Sequence, residues 1–260
     1  NNQICLDVKQ NHLDLNLIKK VHDMKYSNEK KDLAAALRWF ARLDMNEGIA
    51  NHFSLAVSDD GQEFLMNPAG KYWSKIKSSD ILELDARKDP KNIGPIVDET
   101  AWCIHGAIHR QVPSARCVMH LHPKYATALS CLEDPKLPAI NQESMTFYNR
   151  VSYDLDYGGL GIGDEGERLA SKLGNHSVLM MGQHGVLVTG KTVGEAFDRM
   201  YYFERSARIY ITALQTGQKL KIASHEIAEK TAQQSENYFS DLHFKAILEV
   251  LDEEEPDYLN

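Results

Sequence analysis

The strongest constraint on the fold is a pair of strand-like stretches, NHFSLAVS at 51–58 and GQEFLMNPAG at 61–70, which meet at Asp59, Asp60 and Gly61. Period-two alternation in the first stretch, a second strand-like stretch and the Asp-Asp-Gly turn between them predict a β-hairpin. A hairpin commits the chain to antiparallel pairing. Three further stretches read as strands: SSDILELDA (78–86), a turn running into a strand; ARCVMHLHP (115–123), a strand stopped by Pro123; and HSVLMMGQHGVLVTG (176–190), two short strands around a Gly-Gln-His-Gly turn.

Helical periods lie between and beyond them. From Asn28, the residues Leu33, Ala36, Leu37, Phe40 and Leu43 recur at helical spacing. DETAWCIHGAIHRQVP (98–113) predicts a helix that opens on acidic residues, which suit the positive end of its dipole, and closes at Pro113. KYATALSCL (124–132) predicts a helix directly after Pro123. TVGEAFDRMYYFERSARIYITALQTG (192–217) predicts a long amphipathic one, with Val193, Phe197, Met200, Ala207, Ile211 and Leu214 on one stripe and Gly217 as its stop. Helices mixed with antiparallel-type strands predict an α/β layered sheet covered by helices on both faces.

The 260 residues suffice for one large domain or two small ones, and no Pro- or Gly-rich linker divides them. The expected organisation is an N-terminal arm over 1–27, one domain over 28–220, and a C-terminal helical extension over 221–260 ending in the acidic, solvated tail LDEEEPDYLN. A net charge of -8 without a dense Lys/Arg block argues against nucleic acid as a partner. No apolar stretch is long enough to cross a bilayer, so no membrane role is expected. Cys5, Cys103, Cys117 and Cys131 show no CxxC spacing and read as free thiols. With no signal-peptide pattern at the start, a cytoplasmic location is expected.

Strand alternation puts His120 and His122 on the same side of ARCVMHLHP, at a strand end. Two imidazoles so placed form half of a metal site or serve as ordinary polar groups. His184, in a glycine-flanked turn, is the third candidate, and three histidines would leave an open position on a divalent ion. His105 and His109, four apart on one helix, share a face, but packing or solvent contacts explain them equally well. His52, beside Asn51 at a strand start, is a candidate for lining a pocket.

Four separated blocks, GIANHFSLAV (48–57), MNPAGKYWSKIKSSDI (66–81), IHGAIHRQVPSARCVMHLHPKYATALS (104–130) and MMGQHGVLVTGKTVGEAF (180–197), make residues 30–220 resemble the class II aldolase/adducin family. The resemblance implies a single three-layer α/β/α domain around a mixed, largely antiparallel central sheet. It implies His120, His122 and His184 as ligands of a divalent metal, zinc first, with manganese and iron as alternatives. It also implies a small-molecule substrate, with Asn51 and Gly70 among its binding residues, and a homo-oligomer, a tetramer with active sites between subunits.

The departures from the family's aldolases bear on function. Counted back from the His-x-His pair without a gap, their Ser-Ser-Glu falls on Glu99, Thr100 and Ala101. Alanine replaces the acid/base glutamate, and a carboxylate stands where a phosphate-binding serine is expected and would repel a dianion. Ala69 replaces another hydroxyl residue. The residues after PAI are Asn141, Gln142 and Glu143 in place of the catalytic tyrosine. Glu99 and Glu143 are the candidate replacements for acid/base work. The expected function is a metal-dependent carbon–carbon lyase, retro-aldol or decarboxylating, acting on a small non-phosphorylated hydroxy or keto acid through a metal-stabilised enolate. An Fe(II)-dependent oxygenase on the same fold and a non-catalytic, adducin-like assembly module are the alternatives.

Overall fold

The computed structural model describes residues 25–88, 96–156, 159, 164–236 and 241–260. Residues 1–24 of the expected arm, Cys5 among them, lie outside this set. In chain order the elements are α1 (Ser27–Arg42), β1 (His52–Ala56), β2 (Glu63–Met66), β3 (Leu82–Asp85), α2 (Glu99–Gln111), β4 (Cys117–Leu121), α3 (Lys124–Ser130) and α4 (Gln142–Thr146). There follow β5 (Val151–Asp154), α5 (Glu165–Leu173), β6 (Val178–Met181), β7 (Gly185–Gly190), α6 (Val193–Gln215), α7 (His225–Ser235) and α8 (Asp241–Glu254).

The seven strands form one sheet in the order β3-β2-β1-β4-β7-β6-β5. The expected hairpin is β1–β2, and every pair is antiparallel except β5–β6, which is parallel. The sheet is therefore mixed and largely antiparallel, as expected. β4 lies between β1 and β7 with all five residues buried.

Helices cover both faces because the strands carry apolar side chains on both. On one face Phe53, Met119, Leu121, Met180 and Val188 join Leu33 and Phe40 of α1, Phe197 and Phe203 of α6, and Phe244 of α8. On the other, Val118, Leu179 and Leu187 pack against Ile104 and Ile108 of α2 and Leu169 and Leu173 of α5. Two predicted helical stripes are shortened. Leu43 lies beyond α1 and is 39% exposed, while Leu214, near the end of α6, is 40% exposed. The core ends before either of them. The described cysteines, Cys103, Cys117 and Cys131, are free.

The C-terminal tail is docked, contrary to the solvated tail expected. Arg38 of α1 is buried; its Nε donates to the Ile76 carbonyl at 2.7 Å, and its Nη atoms donate to Asp257 at 3.0 and 2.8 Å and to Glu255 at 3.1 Å. A buried guanidinium needs such partners. The acidic tail supplies them, and Tyr258 is buried beside it.

Candidate metal centre

His120 is the fourth residue of β4, His122 follows the strand, and His184 sits in the turn between β6 and β7. β4 and β7 pair with Leu121 opposite Val186, so the end of β4 and the start of β7 meet at the same sheet edge. Gly185 permits the approach. A Cβ there would stand 2.5 Å from the Leu121 carbonyl oxygen and 2.7 Å from His122 Cδ2. The glycine after His184 thus has a packing reason: any larger residue would push the two histidine-bearing segments apart.

Hydrogen bonds set the tautomers. His120 Nδ1 lies 3.1 Å from the Val186 carbonyl oxygen, and His122 Nδ1 lies 2.5 Å from Glu47 Oε2. A carbonyl and a carboxylate accept, so each Nδ1 carries its ring's hydrogen and each Nε2 keeps a lone pair. These two Nε2 atoms face each other at 2.9 Å. Two lone pairs at that distance repel unless a cation or a proton lies between them. Burial and the charge-sensitive neighbour His52 hold His120 well below the ordinary histidine range, which disfavours a proton. The His184 ring centroid is 4.5 Å from that of His122 and 4.9 Å from that of His120, and one donor atom from each of the three lies within 4.8 Å of the others. Burial, then His122, lowers His184 to about 4. Three imidazoles with convergent donors suit a divalent ion with an open position.

The three histidines line a cleft of about 250 Å³ together with Asn51, His52, Asp98, Thr100, Asp154, Glu165 and Arg168. Asp98 is the N-cap of α2, its Oδ1 accepting from the Ala101 amide at 2.9 Å. Arg168 is bound at 2.6 and 2.7 Å to the two oxygens of Asp154 and also pairs with Glu165, so two carboxylates neutralise its charge.

The structure brings together some of the residues singled out in the sequence and not others. His120, His122 and His184 cluster, and Asn51 and His52 line the cleft. Asn51 has φ 74°, a left-handed conformation that asparagine tolerates. Its Oδ1 accepts from the amides of Glu47 at 3.2 Å and His122 at 3.4 Å, tying the Glu47 loop to the metal-site strand. Its buried Nδ2 has no acceptor among the described residues. Gly70 is not among the lining residues, and its φ of 77° explains a glycine there by the turn alone. Glu99 is exposed on the first turn of α2, one residue past Asp98. Glu143, in α4, bonds Asn141 and faces Arg205, away from the cleft. His105 and His109 stay outside the metal cluster and are buried against Ser54. Asp98, Asp154, Glu165 and Arg168 carry no motif; they meet only through the fold.

The chain and its fold have relatives among known proteins. A family model described as the class II aldolase and adducin N-terminal domain matches residues 31–211. An adducin-related protein of Schizosaccharomyces pombe is 32% identical over 77% of this chain, which spans 64% of that protein. A 4-hydroxy-3-prenylphenylpyruvate oxygenase/4-hydroxy-3-prenylbenzoate synthase of Streptomyces roseochromogenus is 30% identical over 77% of the chain and 73% of its own length. The decarboxylase NovR of Streptomyces niveus is 29% identical over 77% and 75%. Among solved structures, an aldolase II superfamily protein from Pseudomonas syringae superposes with a TM-score of 0.82 at 28% identity, covering 93% of this chain and all of that one. Among the described residues no helix is long and apolar enough to cross a membrane.

Proposed function

The chain belongs to the class II aldolase and adducin family, and on that premise we propose that it is a divalent-metal-dependent lyase. It would break a carbon–carbon bond, by retro-aldol cleavage or decarboxylation, in a small non-phosphorylated hydroxy or keto acid. The observation that carries this reading is the facing pair of Nε2 lone pairs on His120 and His122, with His184 beside them, in the wall of a small acidic cleft. When bound, a divalent ion, zinc before manganese or iron, supplies Lewis acidity for negative charge developing on a substrate oxygen. His120, His122 and His184 would hold it, while Val186 and Glu47 orient the first two rings.

The other lining residues select the substrate. The cleft, about 250 Å³, lies below the usual range for drug-sized ligands and suits a small acid. Arg168 is already matched by Asp154 and Glu165, which leaves no unpaired Lys or Arg among the described lining residues for a phosphate dianion. Asp98, the lining carboxylate outside the Arg168 cluster, weighs further against a dianion than against a singly charged acid. Ala101 and Ala69 fit the same picture. Asp98 replaces Glu99 as the candidate proton carrier, because the helix start turns Asp98 to the cleft. Glu99 and Glu143 would take part only from a neighbouring subunit, in the homotetramer that sedimentation equilibrium would test.

The relative named as an oxygenase supports a second reading, Fe(II)-dependent oxygen chemistry at the same histidines. Elemental analysis of the purified protein and of His122→Ala, followed by turnover of 2-keto and 3-hydroxy acids with and without oxygen, separates the two. Stoichiometric metal lost in the variant, with oxygen-independent cleavage, is the expected result. Turnover that consumes oxygen replaces the lyase by the oxygenase. A wild-type protein that takes up no metal sinks both and leaves the assembly role.

A further inference from the structure

A row of buried polar groups runs from the cleft into the layer between β1 and α2. His52 Nδ1 lies 2.7 Å from His105 Nε2, and His105 Nδ1 lies 2.5 Å from Ser54 Oγ. Ser54 Oγ lies 2.7 Å from His109 Nε2, and His109 Nδ1 lies 2.8 Å from the Ala115 carbonyl oxygen. His52 is 8% exposed; Ser54 and His105 are fully buried, and His109 is 4% exposed. The row follows from two periods: His52 and Ser54 are two apart on a strand, and His105 and His109 are four apart on a helix. No carboxylate takes part in the row, and an uncompensated charge on any of these buried rings would be costly. Each ring therefore carries one N–H.

The far end of the row decides every hydrogen in it. The Ala115 carbonyl can only accept, so the His109 hydrogen is on Nδ1 and its Nε2 accepts. The Ser54 hydroxyl must then donate to His109, and its oxygen accepts from His105 Nδ1–H. That leaves His105 Nε2 as an acceptor, so His52 donates from Nδ1. His52 Nε2 is left with a lone pair. His52 lines the cleft, and its ring centroid is 5.0 Å from that of His120, yet it stands outside the three histidines whose donors converge.

We propose that His52 Nε2 is a fixed hydrogen-bond acceptor for a hydroxyl of the substrate, with Ser54, His105 and His109 as positioning residues that hold its ring in that tautomer. The inference deepens the reading above and rests on it for where the substrate lies; it narrows the substrate class to hydroxy acids. A site that offers a buried acceptor discriminates against an analogue lacking the donor, because the acceptor is then left unpaired.

Two measurements test it. In the full chain labelled with ¹⁵N-histidine, metal-free or zinc-loaded, NMR correlation spectra assigned with a His52→Gln variant should show His52 protonated at Nδ1 and bare at Nε2 at neutral pH. Glycolate and methoxyacetate, which share a carboxylate and a second oxygen but differ in the hydroxyl hydrogen, provide the binding probe. The preference for glycolate should fall about tenfold, equivalent to about 1.4 kcal/mol, in both Ser54→Ala and His52→Phe. Ser54→Ala removes only a hydroxyl, so the test survives if His52→Phe does not fold. A His52 hydrogen on Nε2, or a glycolate preference that neither variant changes, overturns the proposal. Absence of bound metal would overturn the lyase reading alone, since the NMR measurement needs no metal.

Discussion

Replacing Gly185 with alanine probes how the β6–β7 turn sets the candidate metal site. The new methyl carbon would stand 2.5 Å from the Leu121 carbonyl oxygen and 2.7 Å from His122 Cδ2. Both distances are roughly 1 Å inside a comfortable carbon contact. Gly185 is not among the residues with positive φ, so the penalty comes from contact and not from backbone conformation. The Leu121 oxygen belongs to β4, whose ladder with β7 holds Leu121 opposite Val186, so it can retreat only by opening that ladder. The His122 ring can turn more easily, but its Nδ1 is tied to Glu47. Overpacking of this kind costs about 1–3 kcal/mol. Shifting His122 by even half of the roughly 1 Å overlap exceeds the ~0.2 Å that a metal site tolerates. Urea unfolding of the metal-free protein should therefore show a midpoint lowered by the equivalent of about 2 kcal/mol with an unchanged slope. Zinc affinity, from competition with a chromophoric chelator, should fall by at least about tenfold, or about 1.4 kcal/mol. A stability loss with undiminished zinc affinity would refute the link between the turn and the metal site. No change in either quantity would refute the contact itself.

Other perturbations follow from the same geometry. Arg38→Met removes a buried guanidinium but leaves Glu255 and Asp257 partly solvated, at 26% and 51% exposure. The loss is then mainly of charge-assisted hydrogen bonds, about 2–3 kcal/mol, and the released tail should become sensitive to carboxypeptidase; an unchanged digestion pattern would contradict its docking. His109, lowered by burial from 6.5 to about 4, binds fewer protons folded than unfolded between those values. Its contribution to stability is complete above pH 6.5 and is lost as pH falls toward 4, by about 2 kcal/mol at pH 5. Between pH 7 and 5 the urea-derived stability should fall by about 2 kcal/mol more in the wild type than in His109→Gln, the other buried histidines contributing to both, whereas equal falls in the two proteins would rule this out. Glu47→Gln keeps the shape but removes the charge behind His122, and zinc affinity should drop about tenfold, toward the low end for such outer partners because Glu47 is 60% exposed. Equal affinities by chelator competition would show that Glu47 does not tune the site.

The amino-acid sequence by itself determined the local features. The hairpin at Asp59–Gly61, the helix closed by Pro113 and the strand stopped at Pro123 are governed by turn chemistry and side-chain period, which act over a few residues. Period two also determined that His120 and His122 share a side, the glycine-flanked turn made His184 the third candidate, and the resemblance implied that the three are ligands. The tertiary structure alone decided which carboxylates join them. Asp98, Asp154 and Glu165 come from the cap of a helix, the end of an edge strand and the start of another helix, and no local period relates such positions. Glu99 missed the cleft by one residue because a helix start turns consecutive side chains to different sides. The tail could not be read as docked, since its acidity suits water as well as it suits Arg38, and only the packing of α1 buries that guanidinium. The polar row divides in the same way. His52 with Ser54 and His105 with His109 are each legible as co-facing pairs, but the packing of α2 on β1 joins them into one directed chain of hydrogen bonds.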